Sequence, residues 1–360
     1  MTERGPAVKV ACLGITHPHA SARVRALRAV DGVEVVAAAD PHGPVALFCQ
    51  TYDLRQASVE EILDDSEIRA VLVHSKSDRL ADYGVQGLEA GKAVLVEKPG
   101  GAGLADSHRL VNAVAQTGGV LQVGYNCRFA DSVIMAQRIL AAGVLGQVVS
   151  VSAHGAAMAG EHLSEHLNQS ADMGGGLWVI GCHLIDIILA TCGRPAGVNA
   201  RVNKFASVSD SRSREDAVAA IFSYPGVQVV FDFTVHDPLE WFETSRVTYH
   251  GTRGVLEVGI LPERLFLQLK EPAGGYPAGR TEWTGSVFTT PWARAEDNAF
   301  SELPELSNLQ FFHAEARDFV QAIRGGSVPV SARDSLSVAE VIDACYRSGQ
   351  AAGALVELPS

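Results

Sequence analysis

Residues 8–40 read VKVACLGITHPHASARVRALRAVDGVEVVAAAD. Val8 to Leu13 is a short apolar strand, and Gly14 opens a turn. Ser21 to Val30 spaces its apolar residues as a helix does, and Val33 to Ala39 is a second strand ending at Asp40. Strand, helix and strand at this rhythm predict a βαβ unit in a buried parallel sheet, with right-handed crossovers. The rhythm continues: a short helix at Val59 to Leu63, strand Ala70 to His74, helix Leu80 to Glu89, strand Ala93 to Val96, helix Leu104 to Gln116, strand Val120 to Gly124.

After about Phe129 the pattern changes. A helix over Val133 to Ala142 is followed by strand-like runs at 148–153, 198–204, 217–223, 227–234, 246–250, 254–258 and 265–270. Tyr224-Pro225-Gly226 and His250 to Gly254 are turn signals between neighbouring strands, so a largely antiparallel sheet is expected. Residues 271–304 read as a long loop, and helices are expected at 309–324 and 331–350. At about 150 residues per domain, 360 residues suit two domains, placed at 1–126 and 127–360.

Hydrophobic residues at 47% and charged residues at 19% describe a globular chain. Twenty-nine basic against 41 acidic residues give −12, which argues against nucleic acid and anionic membrane as partners. No apolar run reaches membrane-spanning length, and Met1 to Lys9 does not resemble a secretion signal. Six scattered cysteines without a CxxC pair fit reduced thiols in a cytoplasm.

The turn after the first strand reads Gly14-Ile15-Thr16-His17-Pro18-His19. A helix start beyond such a turn offers free N–H groups to phosphate. Of the GxGxxG signature only Gly14 is kept; Thr16 and His19 stand in the other glycine positions. Asp40, 21 residues past His19 at the end of a strand, suits the ribose hydroxyls of a dinucleotide. The competing readings are an ordinary strand-to-helix loop and a turn aspartate.

Gly91-Lys92-Ala93-Val94-Leu95-Val96-Glu97-Lys98-Pro99 resembles the AGKxVxxEKP segment of the glucose–fructose oxidoreductase, inositol dehydrogenase and rhizopine-catabolism family (Gfo/Idh/MocA). Val123 to Phe129 (VGYNCRF) resembles its VGFNxRF junction, and Gly174-Gly175-Gly176 with Gly181-Cys182-His183 to Asp186 its GGG…GxHxxD segment. Ala314 to Ile323 and Ala344 to Ser348 resemble its C-terminal helices. The resemblance implies an N-terminal Rossmann domain, doubly wound on a parallel sheet. It also implies a C-terminal α+β domain with a large, mostly antiparallel, open-faced sheet, and an active site between the two. It further implies NAD as cofactor, oxidation or reduction of a carbinol carbon of a sugar or cyclitol, and a homodimer or homotetramer formed through the sheet face.

The cofactor residues so implied are Gly14, Ile15, Thr16, His17, His19, Asp40, Ser75, Glu97, Lys98 and Gln122. Oxidising a secondary alcohol needs a hydride acceptor, a proton acceptor and positive charge near the developing alkoxide. Lys98, after the carboxyl end of a parallel strand, suits the charge, and His183 suits the proton. Asp186, one turn on, reads as an orienting group. Arg128, His154, His162 and Asp172 complete the substrate candidates.

The chain also departs from the family. Where the usual segment has an aspartate four residues before the histidine, this one has Val179. Ser75-Lys76-Ser77-Asp78 replaces the usual threonine-proline-asparagine. His162 and His166 have i,i+4 spacing, but without an HExxH arrangement no metal is expected. Two other functions compete with a dehydrogenase. One is an NAD-dependent glycoside hydrolase or lyase with transient oxidation and no net redox change; the other is a non-catalytic NAD-binding sensor.

Overall fold

The computed structural model describes residues 7–156, 175–205, 215–236, 244–260, 263–285 and 310–359. In chain order the first elements are β1 (Val8–Leu13), α1 (His19–Arg28), β2 (Val33–Ala39), α2 (Val45–Tyr52), β3 (Arg55–Gln56), α3 (Val59–Asp64), β4 (Ile68–Val73), α4 (Ser77–Glu89), β5 (Ala93–Glu97), α5 (Leu104–Thr117) and β6 (Leu121–Gly124). Then follow α6 (Asp131–Ala141), β7 (Val148–Ala156), α7 (Cys182–Cys192), β8 (Gly197–Asn203), β9 (Ala217–Tyr224), β10 (Val227–Thr234), β11 (Arg246–Gly251), β12 (Gly254–Gly259), β13 (Arg264–Leu269), β14 (Gly279–Thr284), α8 (Gln310–Ile323), α9 (Ala332–Gln350) and β15 (Val356–Glu357). They form two compact units: Met1–Asn126 with Ala295–Leu336, and Cys127–Arg294 with Ser337–Ser360.

The first unit carries a parallel sheet in the order β3-β2-β1-β4-β5-β6. This is the doubly wound Rossmann order, with the strand order reversing between β1 and β4. Val10 to Leu13 and Ala70 to Val73 are wholly buried, which explains their unbroken apolar runs: strands covered on both faces need no polar alternation. α3 is started by a capping box in which Ser58 and Glu61 bond each other's backbone N–H. α8 packs along α1, so the segment expected in the second domain returns in part to the first unit. Its anchor is an ion pair between Arg23 of α1 and Glu315 of α8.

The second unit carries nine strands in the order β14-β13-β12-β11-β7-β10-β9-β8-β15. Only β7 and β10 pair in parallel; every other neighbour is antiparallel. Val151, Ala153, Val229, Phe231, Phe233, Val247 and Tyr249 are buried, while Ser152, Gln228, Asp232, Arg246 and His250, at alternating positions, are exposed. The sheet therefore has one packed and one open face. Pro225-Gly226 closes the β9–β10 hairpin with Gly226 at φ +82°, as a proline–glycine turn requires. β14 lies in the stretch expected as loop. Both its faces are partly or fully exposed, so its sequence GRTEWT carries no apolar alternation to read. Among the described residues no helix is long and apolar enough to cross a membrane.

Candidate active site

In the first unit the loop after β1 fits tightly against the end of β4. Gly14 has φ +79°, and a Cβ there would stand 2.6 Å from the Ser75 Cβ, so the one retained signature glycine is a steric necessity. Asp40, buried at the end of β2, ties two loops together. Its Oδ2 accepts the Ile15 N–H and its Oδ1 the His42 N–H, each at 2.8 Å. Thr16 Oγ1 is buried and has no hydrogen-bond partner among the described residues. α1 begins after Pro18 with no side-chain cap. A left-handed glycine, a helix start just beyond it, a buried hydroxyl and an acid at the second strand's end fit a dinucleotide.

His17, in the loop, and His19, the first residue of α1, both face Glu97. His17 Nδ1 accepts the His19 N–H at 3.2 Å, and His19 Nδ1 lies 3.2 Å from Glu97 Oε2. His17 Nε2 stands 3.7 Å from Glu97 Oε1, and so does Lys98 Nζ at 3.8 Å. Glu97 is fully buried at the end of β5, and Arg23 Nη1 donates to its Oε2. Burial opposes the charge of Glu97, but His17, Arg23 and His19 outweigh it and hold the carboxyl well below its usual range. Burial pushes Glu315 up, with Arg23 pulling it back. Burial also holds the His19 imidazole below its usual value, against the pull of Glu97. His17, His19 and Glu97 bring three possible metal-ligand atoms within 4.8 Å of one another. Two cations, Arg23 and Lys98, already share that carboxylate, and their charge opposes a dication there.

Lys98 is 5% exposed. Its bond to Pro99 is cis, and Pro99 O accepts the Ser335 hydroxyl at 2.8 Å. Ser75 is buried beside Gly14. Gln122 is wholly buried, its Nε2 3.5 Å from Glu315 O.

In the second unit Arg128 meets Asp186 through a two-pronged ion pair, Nε to Oδ2 at 2.9 Å and Nη2 to Oδ1. The guanidinium expected among the substrate contacts is thus held by the residue expected to orient. His183 is the second residue of α7 and is 3% exposed. The turn before it, Leu177–Gly181, is π-helical. Its wider turn removes the α-helical spacing assumed for Val179, so four residues do not mark one helix face here. Glu215, fully buried, accepts the Leu177 N–H at 2.7 Å and the Tyr346 hydroxyl at 3.1 Å, fixing the start of that turn. His154 sits on the open face of the sheet, 2.6 Å from Asp232, opposite the face that buries Val151 and Ala153. His162 and Asp172, with Glu161, Glu165 and His166, lie outside the described residues.

Sequence reasoning passed over Arg23, His74, Glu215 and Glu315. Arg23 did leave a signal: with Ala20, Val24 and Leu27 it occupies the apolar stripe of α1, where a charged residue needs a buried partner.

The fold and site define a dinucleotide-dependent oxidoreductase. Residues 8–125 match the family described as "Oxidoreductase family, NAD-binding Rossmann fold", and residues 133–257 match the "GFO/IDH/MocA C-terminal domain". The chain belongs to the Gfo/Idh/MocA oxidoreductase family, and its first unit is an NAD-binding domain. It is 26% identical over 290 residues to the uncharacterized oxidoreductase YdgJ of Escherichia coli, covering 79% of this chain and 80% of that one. It is 22% identical over 306 residues to scyllo-inositol 2-dehydrogenase (NADP(+)) of Bacillus subtilis, covering 81% and 80%. Levoglucosan dehydrogenase in complex with NADH and levoglucosan shares the fold at TM-score 0.81 and 20% identity, over 98% of this chain and 100% of that one.

Proposed function

We propose that the protein is an NAD-dependent dehydrogenase acting on a ring carbinol carbon of a sugar, glycoside or cyclitol. The observation that carries this is Lys98: a buried ammonium beside an ionised Glu97 at the carboxyl end of a parallel strand. Relatives named for inositol and levoglucosan support the substrate class.

Bound NAD would supply the hydride acceptor. Gly14, Ile15 and Thr16 would line its phosphates, Asp40 its adenosine ribose, and Ser75 and Glu97 the nicotinamide side. Lys98 stabilises the alkoxide as the carbinol hydroxyl loses its proton, and His183 takes that proton. The first unit is then the cofactor domain and the second the substrate domain. The open sheet face, where Ile221 is exposed, is the surface for a homo-oligomer. The six cysteines, none in a disulfide, suit a cytoplasmic enzyme.

The test is incubation with NAD and a panel of cyclitols, sugars and glycosides, following NADH and released products together. NADH accumulation supports the proposal. Cleavage without NADH would instead support a redox-neutral hydrolase, a reading that Val179 in place of the family aspartate keeps open. Silence in both would point to a sensor.

A further inference from the structure

Arg23 is wholly buried, and each arm of its guanidinium is engaged. Nε and Nη2 donate to Glu315 at 2.6 and 3.0 Å, Nη2 also to Gly124 O at 2.9 Å, and Nη1 to Glu97 Oε2 and to His74 Nε2 at 3.0 Å. Since Arg23 only donates, His74 carries its proton on Nδ1. Around Glu97 stand His17, His19, Arg23 and Lys98, with His74 and Glu315 behind Arg23. Arg23 and Lys98 together balance the charges of Glu97 and Glu315. The two oxygens of Glu97 are unequal. Oε2 is taken by Arg23 and His19, whereas Oε1 accepts no hydrogen bond among the described residues and faces Lys98 Nζ and His17 Nε2.

We propose that Arg23 is a positioning residue for the reaction: by clamping Glu97 Oε2 it turns Oε1 toward Lys98 and fixes the ammonium in its working place. This rests on the reading of Lys98 given above. Small displacements of a catalytic group cost rate steeply, about a hundredfold for roughly 1 Å, so the clamp acts on turnover rather than on cofactor affinity. His17 and, after it, Arg23 hold the Glu97 carboxyl below its usual range, so removing Arg23 leaves burial less opposed.

The test compares wild type, Arg23→Gln, Arg23→Lys and Glu315→Gln. It measures kcat, the Kd for NADH, and the ionisation of Glu97 by NMR of 13Cδ-labelled glutamate, the signal assigned with Glu97→Gln. In wild type and Glu315→Gln the Glu97 signal is expected to stay ionised from about pH 5 to 9. In Arg23→Gln its midpoint rises from the wild-type position, and kcat falls at least about tenfold while the NADH Kd changes less than about threefold. Arg23→Lys keeps Glu97 ionised and recovers part of kcat. If Arg23→Gln does not fold, the double variant Arg23→Gln/Glu315→Gln, which removes one buried carboxylate with the guanidinium, takes its place and is expected to show the same changes. An unmoved Glu97 signal, a loss in NADH binding as large as that in kcat, or no recovery by lysine overturns the proposal. Lys98→Met, run in parallel, separates the two levels: if it keeps turnover, the reading of Lys98 falls and takes the proposal with it. If it loses turnover while the Arg23 results fail, the proposal alone falls.

Discussion

Arg23 donates Nε and Nη2 to the two carboxylate oxygens of Glu315, joining residues 292 positions apart in the chain. The pair welds α1 to α8 beneath the cofactor loop, and Gly124 makes room for it. A Cβ at position 124 would stand 2.2 Å from Arg23 Nη2.

Gly124→Ala should therefore destabilise the protein by about 1–3 kcal/mol, the usual cost of overpacking a closed site. Urea unfolding of the two proteins measures this. A wild-type midpoint for the variant would show that the guanidinium does not occupy that place.

Acid sensitivity should come from two imidazoles. Burial holds His19 below its ordinary value of 6.5 and His74 well below it, so both are neutral in the folded protein at neutral pH. The unfolded chain takes up their protons first as the pH drops. Their contribution is therefore fully present above about 6.5 and is lost as pH falls from there toward the folded values. Each steepens the fall by at most about 1.4 kcal/mol per pH unit. Unfolding free energy measured between about pH 5 and 7.5 should fall less steeply for His74→Gln than for wild type. Equal slopes would contradict the burial of a neutral His74.

Asp186→Asn should cost about 3 kcal/mol, because it leaves Arg128 without its anionic partner in a largely buried place. Thermal unfolding checks it. A loss below about 1 kcal/mol would mean that Arg128 finds compensation elsewhere and that the pair is incidental.

Asp40 should set cofactor choice. Its carboxylate would repel a 2′-phosphate, and neither Pro41 nor His42 offers fixed positive charge, so NADH should bind at least about tenfold tighter than NADPH. Fluorescence titration decides this, and equal or tighter NADPH binding would refute it. The comparison is informative because one relative, the scyllo-inositol enzyme of Bacillus subtilis, is named for NADP(+).

The doubly wound half was legible because β1, β2, β4 and β5 are apolar runs closed by turn residues, and buried parallel strands leave that mark. The strands of the second sheet from β7 to β13 were legible through their turns and alternation. β14 was not, because an edge strand with both faces partly open has no alternation to show. Gly14, Asp40, Lys98 and His183 stood out as residue types at the ends of elements. The inward turn of His17 and His19 toward Glu97 did not, since a histidine in a loop or at a helix start reads the same whether it faces solvent or a buried acid. The π-turn before His183 was hidden for a related reason: apolar residues filling a whole turn are compatible with either helical spacing. The link from Arg23 to Glu315 has no periodicity to betray it, only a charged residue on an apolar stripe.

Lys98→Met tests the central claim most directly. With NAD and a substrate found by the cyclitol, sugar and glycoside panel, kcat/KM is measured beside the Kd for NADH. Loss of charge at the developing alkoxide should lower kcat/KM by about 10²–10³ while NADH still binds within about threefold of wild type. Turnover within about threefold of wild type would show that Lys98 is a buried turn residue and that the alkoxide is stabilised by another group.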